Sequence, residues 1–174
     1  MIKLVILDID GVMTDGKKYY NENGMPFLKT FCDKDFTAIK RMRAGGTEVC
    51  FLSGDRFVNE AMAKNRNIDF FYARGKDKVE FLEMLCQKYS TTPEHIAYVG
   101  DDLFDKNIMK AIKYPFCPSD SVMDIKAICG FNNILSKNGG ENVVMELVDL
   151  LLKKKLINDA TLEQIEALDK NEKF

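Results

Sequence analysis

The chain opens on an almost uninterrupted apolar run, Ile2-Lys3-Leu4-Val5-Ile6-Leu7, which stops at Asp8. A strand without polar alternation is covered on both faces, the pattern of a parallel strand inside an α/β sheet. Comparable runs recur at 48–52, 70–72 and 96–99, with weaker ones at 114–116 and 131–134. Helical patterns separate them at 35–43, 57–65, 76–89 and 105–112; in the third, Val79, Leu82, Cys86 and Tyr89 share one face. Strand and helix alternate, so the expected fold is α/β, a Rossmann-like parallel sheet with helices on both faces.

One segment interrupts the alternation. Residues 17–31 hold two β-prone arms around Asn21-Glu22-Asn23-Gly24, which reads as a β-hairpin inserted after the first strand. A helix over 141–154 follows Gly139-Gly140, and Leu162, Ile165 and Leu168 recur at helical spacing in a charged tail. With 174 residues the chain suits one domain, expected over 1–155 with the hairpin within it and a helical tail over 156–174.

Charge and cysteine content exclude several function classes. The net charge of -2 provides no positive field for a nucleic acid or an anionic membrane. The first apolar run is too short for a signal peptide or a membrane span, so the expected location is cytoplasmic. Five scattered cysteines without a C-x-x-C pair fit neither a disulfide framework nor a zinc site. The single histidine, His95, follows Thr92-Pro93-Glu94 in what reads as the first turn of a helix, which leaves little from which to build a Ser-His-Asp or Cys-His mechanism.

Ligands of open α/β sheets bind at the carboxyl ends of the strands. The polar residues there are Asp8 and Asp10 after the first strand, Ser53-Gly54-Asp55-Arg56 after the second, Lys76 and Lys78 after the third, and Asp101, Asp102 and Asp105 after the fourth. Any one of these segments alone reads as a turn or cap. Together they gather carboxylates, a hydroxyl and a lysine, a set suited to phosphoryl transfer with a hard cation such as Mg2+. A carboxylate nucleophile needs no activating base at neutral pH, and a second carboxylate two residues on can serve as acid and then base.

The run Asp8-Ile9-Asp10-Gly11-Val12-Met13-Thr14-Asp15-Gly16 resembles the D-x-D-G-V-x-T-D-G signature of haloacid dehalogenase-like phosphatases, in particular the 3-deoxy-D-manno-octulosonate 8-phosphate phosphatase subfamily. The resemblance implies Asp8 as nucleophile and metal ligand, Asp10 as general acid/base with its backbone carbonyl on Mg2+, and Asp101 completing the metal site. It further implies that Ser53 holds a phosphate oxygen, that Gly54, Asp55 and Arg56 border the substrate, and that Asp102 and Asp105 orient the metal's waters and the loop. Lys76 and Lys78 both stand near the family's lysine position, and the family's spacing after Tyr72 selects Lys78.

Many members close their site with a separate cap, but 16–35 has room only for the hairpin and 56–76 only for a helix and a strand. The resembled subfamily is capless and tetrameric, with its hairpins packed together, and takes part in lipopolysaccharide biosynthesis. The implied substrate is a phosphorylated 2-keto-3-deoxy sugar acid, octulosonate 8-phosphate first. A nine-carbon ulosonate 9-phosphate of the sialic acid type is the alternative, because octulosonate enzymes carry arginine directly after the second-motif glycine where this chain has Asp55. Glu141 also departs from the family, which carries a cation there. A non-catalytic interaction module of the same fold is the reading from another class, with the hairpin as its surface. Tyr19, Tyr20, Phe27, Leu28 and Phe31 on that hairpin are expected to need a partner surface, as a homotetramer supplies.

Overall fold

The computed structural model describes residues 1–170 and Glu172. Five parallel strands form the central sheet in the order β5-β4-β1-β6-β7: β1 is Leu4–Leu7, β4 Glu48–Ser53, β5 Asp69–Tyr72, β6 Ile96–Val99 and β7 Tyr114–Phe116. The apolar opening run is its central strand, with Leu4 paired to Glu48 on one side and Ile96 on the other.

Successive side chains of β1 serve opposite faces. Val5 and Leu7 join a core with α1 (Asp33–Ala44), α2 (Phe57–Asn65) and α6 (Val143–Lys153). Leu4 and Ile6 join the other core with α3 (Leu82–Lys88), α4 (Lys106–Ala111) and α5 (Met123–Cys129). The expected α/β sheet with helices on both faces is therefore the fold found. The insertion after β1 is a two-stranded hairpin, β2 (Tyr19–Tyr20) with β3 (Pro26–Leu28), and no cap domain exists among the described residues. Among those residues no helix is long and apolar enough to cross a membrane.

The structure corrects several local expectations. Phe131–Asn133 is a 3-10 turn, not a strand: Gly130 enters it at φ +67°, and only a single bridge joins Cys117 to Ile134. The next N–H on that side, from Ser119, goes to the Lys137 carbonyl oxygen at 2.9 Å and so does not continue the ladder. The helix expected over 76–89 starts late, because Asp77 caps a 3-10 turn over Lys78–Phe81 before α3 begins. His95 closes a three-residue 3-10 turn, its Nδ1 2.9 Å from the Met1 carbonyl oxygen.

Phe31 needs no external partner. It packs against the core with its ring centroid 5.9 Å from that of Phe36. In the tail, Ile157 still belongs to the core and half-buried Leu156 packs against it, and the helix found there is α7 (Leu162–Asp169), which packs on α1. Asn171, Lys173 and Phe174 of the expected tail lie outside the described residues.

Candidate active site

The carboxyl ends of β1, β4, β5 and β6 surround a cavity of about 900 Å3, lined among others by Asp8, Asp10, Ser53, Lys78 and Asp101. Asp8 directly follows β1 and turns the chain, its Oδ1 accepting the Ile9 N–H at 2.7 Å. Gly11, at φ +88°, passes so close to Asp101 that a Cβ there would stand 2.0 Å from Asp101 Oδ2. Only glycine lets this turn bring the β1 and β6 carboxylates together.

Lys78 lies between two acids at the cavity floor, with Nζ 2.8 Å from Asp8 Oδ2 and 2.6 Å from Asp105 Oδ1. Lys76 is exposed above the Phe81 ring, so of the two candidate lysines only Lys78 reaches Asp8. Asp105 is wholly buried and also accepts the Tyr98 hydroxyl at 2.6 Å and the N–H groups of Asp101 and Asp102 at 3.0 and 3.2 Å. Asp105 is thus the anchor of Lys78 and of the β6 loop, each of its oxygens accepting two hydrogen bonds. Asp102 caps that loop by accepting the Leu103 N–H at 2.7 Å, and its side chain also takes the Asp105 N–H in a reciprocal capping box.

Burial dominates the electrostatics. It pushes Asp8 up to about 7 against the opposing pull of Lys78, with Asp105 adding to the rise. It pushes Asp101 up to about 8, with the charges of Asp8, Asp105 and Asp102 adding to the effect. Burial opposes the charge of Lys78, but Asp8 and Asp105 outweigh it and hold the ammonium above its ordinary value.

One oxygen from each of Asp8, Asp101 and Asp105 lies within 4.8 Å of the others, and Asp101 Oδ1 is buried without a partner. Three carboxylates facing one ammonium, one of them with an orphaned oxygen, fit a hard divalent cation. Asp8 and Asp101 have the capacity to ligate it, since Asp105 is already saturated. The Asp10 side chain lies outside this group.

The second motif lies on the opposite wall. Ser53 Oγ accepts the Asp55 N–H at 3.3 Å and the Asn59 amide at 3.1 Å, which leaves its own hydrogen to donate. Burial works against the charge of Asp55, yet hydrogen bonds from Lys29 and Lys18 prevail and hold it down at about 2. Gly54 lines the cavity, whereas Arg56 does not: it pairs with Glu60 at 2.8 Å and borders an adjoining recess with Tyr20, Tyr72 and Arg74.

Sequence reasoning missed Lys29, Asn59 and Tyr98. Lys29 and Asn59 are buried beside Asp10 and Asp55, and Tyr98 beneath Asp105. A lysine in a β-prone arm and an asparagine in a short helix carry no spacing signal, and the tyrosine reads as part of an apolar strand.

The family model described as haloacid dehalogenase-like hydrolase matches residues 55–147, more than half of the chain. The chain belongs to the haloacid dehalogenase-like hydrolases. Within that family it is 31% identical over 152 residues to the 3-deoxy-D-manno-octulosonate 8-phosphate phosphatase of Escherichia coli K12, spanning 87% of this chain and 79% of the relative. The cobalt-bound deoxy-D-mannose-octulosonate 8-phosphate phosphatase of Haemophilus influenzae superposes with a TM-score of 0.81 at 31% identity, covering 87% of this chain and 88% of that one. The Moraxella catarrhalis 3-deoxy-D-manno-octulosonate 8-phosphate phosphatase, in complex with magnesium, phosphate and KDO, superposes at 0.79 and 27% identity, covering 87% and 86%. This haloacid dehalogenase-like hydrolase is a phosphatase.

Proposed function

We propose that the protein is a Mg2+-dependent phosphomonoesterase acting on a phosphorylated 2-keto-3-deoxy sugar acid, 3-deoxy-D-manno-octulosonate 8-phosphate first. The observation that carries the mechanism is Lys78 bridging Asp8 and Asp105 beside the unpartnered Asp101 oxygen. The substrate class rests on the relatives, which act on that octulosonate phosphate by name.

Asp8, Asp101 and the Asp10 carbonyl would hold the ion. When bound, it supplies positive charge that lets an anionic phosphate approach a carboxylate. Lys78 neutralises the remaining charge on Asp8 and the phosphate, and the free hydrogen of Ser53 meets a phosphate oxygen. The Asp8 carboxylate bonds to phosphorus as the ester P–O bond breaks, and Asp10 gives its proton to the departing oxygen. Water then adds to phosphorus, its proton returns to Asp10, and the bond to Asp8 breaks to release inorganic phosphate.

A nine-carbon ulosonate 9-phosphate is the second reading, favoured by an acidic Asp55 at the cavity where the octulosonate enzymes carry arginine. Assaying both sugar-acid phosphates beside an aryl phosphate tests the substrate. The proposal predicts kcat/KM for one of the acids far above the aryl value, since remote groups supply binding energy. Equal values for all three would overturn it. Asp8→Asn is expected to abolish turnover, and chelation to suppress it.

Assembly completes the proposal. The exposed hairpin side chains Tyr19, Tyr20, Phe27 and Leu28 support a homotetramer in which hairpins pack together over neighbouring sites.

A further inference from the structure

Three segments distant in sequence meet at Lys29. The residue directly follows β3, its side chain has no exposed surface, and its ammonium reaches Asp10 Oδ1 at 2.6 Å, Asp55 Oδ2 at 2.8 Å and Asn59 Oδ1 at 2.8 Å. An ammonium has three N–H donors, so every hydrogen is committed and the group has one orientation. Stability is a weak reason to retain such a cluster, because apolar residues of similar volume commonly serve as well as a buried ion pair.

Asn59 extends the same frame. It is fully buried in the first turn of α2, and its amide nitrogen lies 3.3 Å from Asp10 Oδ2, 3.1 Å from Ser53 Oγ and 3.4 Å from the Asp55 carbonyl. Both oxygens of Asp10 are therefore tied, Oδ1 by a short charge-assisted bond to Lys29 and Oδ2 by longer contacts to the Asn59 amide and the Lys18 ammonium. Lys18 stands 3.4 Å from Asp10 and 3.1 Å from Asp55, but its side chain is a quarter exposed and less constrained.

We infer that Lys29 and Asn59 are positioning residues that lock the Asp10 carboxylate in the orientation from which Oδ2 exchanges a proton with the leaving oxygen. Oδ1 is held by the short Lys29 bond, so the proton falls to Oδ2, whose contacts with Asn59 and Lys18 are longer and yield to the leaving oxygen. Proton transfer demands heavy atoms within about 3 Å in a fixed pose, and a carboxylate free to turn about two torsions spends little time there. Because Lys29 is the first residue beyond β3, the seating of the hairpin and the pose of Asp10 form one mechanical unit. The inference rests on the reading of Asp10 as acid and base given above.

The test compares kcat/KM, at saturating Mg2+, for a primary alkyl phosphate and for p-nitrophenyl phosphate, whose leaving oxygen needs no proton at neutral pH. Lys29→Met is expected to lower the alkyl-to-aryl ratio by about 10²-fold, the lower end of what a positioned general acid contributes. Asn59→Ala is expected to lower it in the same direction by less; any effect through Ser53 on phosphate binding cancels in the ratio. Asp10→Asn serves as reference. If Asp10→Asn leaves the ratio unchanged, the acid role itself fails. If Asp10→Asn lowers the ratio but a folded Lys29→Met slows both substrates equally, Lys29 is only packing and the inference is overturned. Should Lys29→Met not fold, Asn59→Ala decides by the same criterion.

Discussion

Lys78 and Asp105 form the innermost ion pair of the site, 2.6 Å apart beneath Asp8, and Asp105 is fully used by four donors. An amide in place of the Asp105 carboxylate turns one oxygen into a donor facing either two backbone N–H groups or the Lys78–Tyr98 pair. Asp105→Asn is therefore expected to cost about 2–4 kcal/mol in urea unfolding and to lower kcat as Lys78 loses its anchor. Tyr98→Phe removes one donor only and is expected to cost about 1 kcal/mol. Equal stability of Asp105→Asn and wild type would contradict this account.

The metal-free site is expected to become a pH-dependent burden on the fold. Asp8 and Asp101 sit at about 7 and about 8, both above the ordinary carboxylate value of 3.8. Groups raised in the folded state contribute stability that is fully present below about pH 4 and is lost as pH rises through about 7 to 8. A cation that binds the ionised carboxylates reverses that loss. The rise in Tm on adding Mg2+ should grow from about pH 5.5 to about pH 8.5, and calorimetry showing a constant increment would refute it.

Asp35 provides a second pH effect outside the cation site. Its Oδ1 accepts the Val144 and Met145 N–H groups at 2.8 and 3.1 Å, capping α6 from α1, while Oδ2 is buried without a partner. Burial pushes its carboxyl up to about 6, against those hydrogen bonds. This contribution to stability is present below about pH 4 and is lost as pH rises through about 6, worth about 3 kcal/mol at 1.36 kcal/mol per unit. Asp35→Asn keeps an oxygen for both N–H groups and cannot ionise. Its stability relative to wild type is expected to improve steadily over that window, and pH-resolved denaturant titrations that run parallel would contradict the assignment.

The assembly prediction rests on the hairpin, where Tyr19, Tyr20, Phe27 and Leu28 are each 47–59% exposed. An isolated two-stranded hairpin is marginal in water. Light scattering is expected to give four times the chain mass, and the double change Phe27→Ser with Leu28→Ser to dissociate the particle and raise KM. A fully active monomer would remove the subunit-closed site from the account.

Sequence by itself determined the sheet and the approximate site, because both depend on local pattern. An apolar run ending in a carboxylate states a buried parallel strand and its functional end at once, and Asp8, Ser53, Lys78 and Asp101 converge because parallel strands carry their carboxyl ends to one edge. The Asp8-x-Asp10-Gly11 signature points to the family as a local pattern, although its glycine answers both a left-handed turn in the motif and the close approach of Asp101. Tertiary structure alone decided what depends on distant partners. Lys29 became an internal cation only because α2 brings Asn59 and β4 brings Asp55 to it, and Asp35 became the cap of a helix more than a hundred residues away. Phe31 left the hairpin's apolar face because Phe36 was within reach. A charged or aromatic side chain in a short arm has no periodicity from which to read its direction. Burial and hydrogen-bond satisfaction assign it once the chain has closed around it.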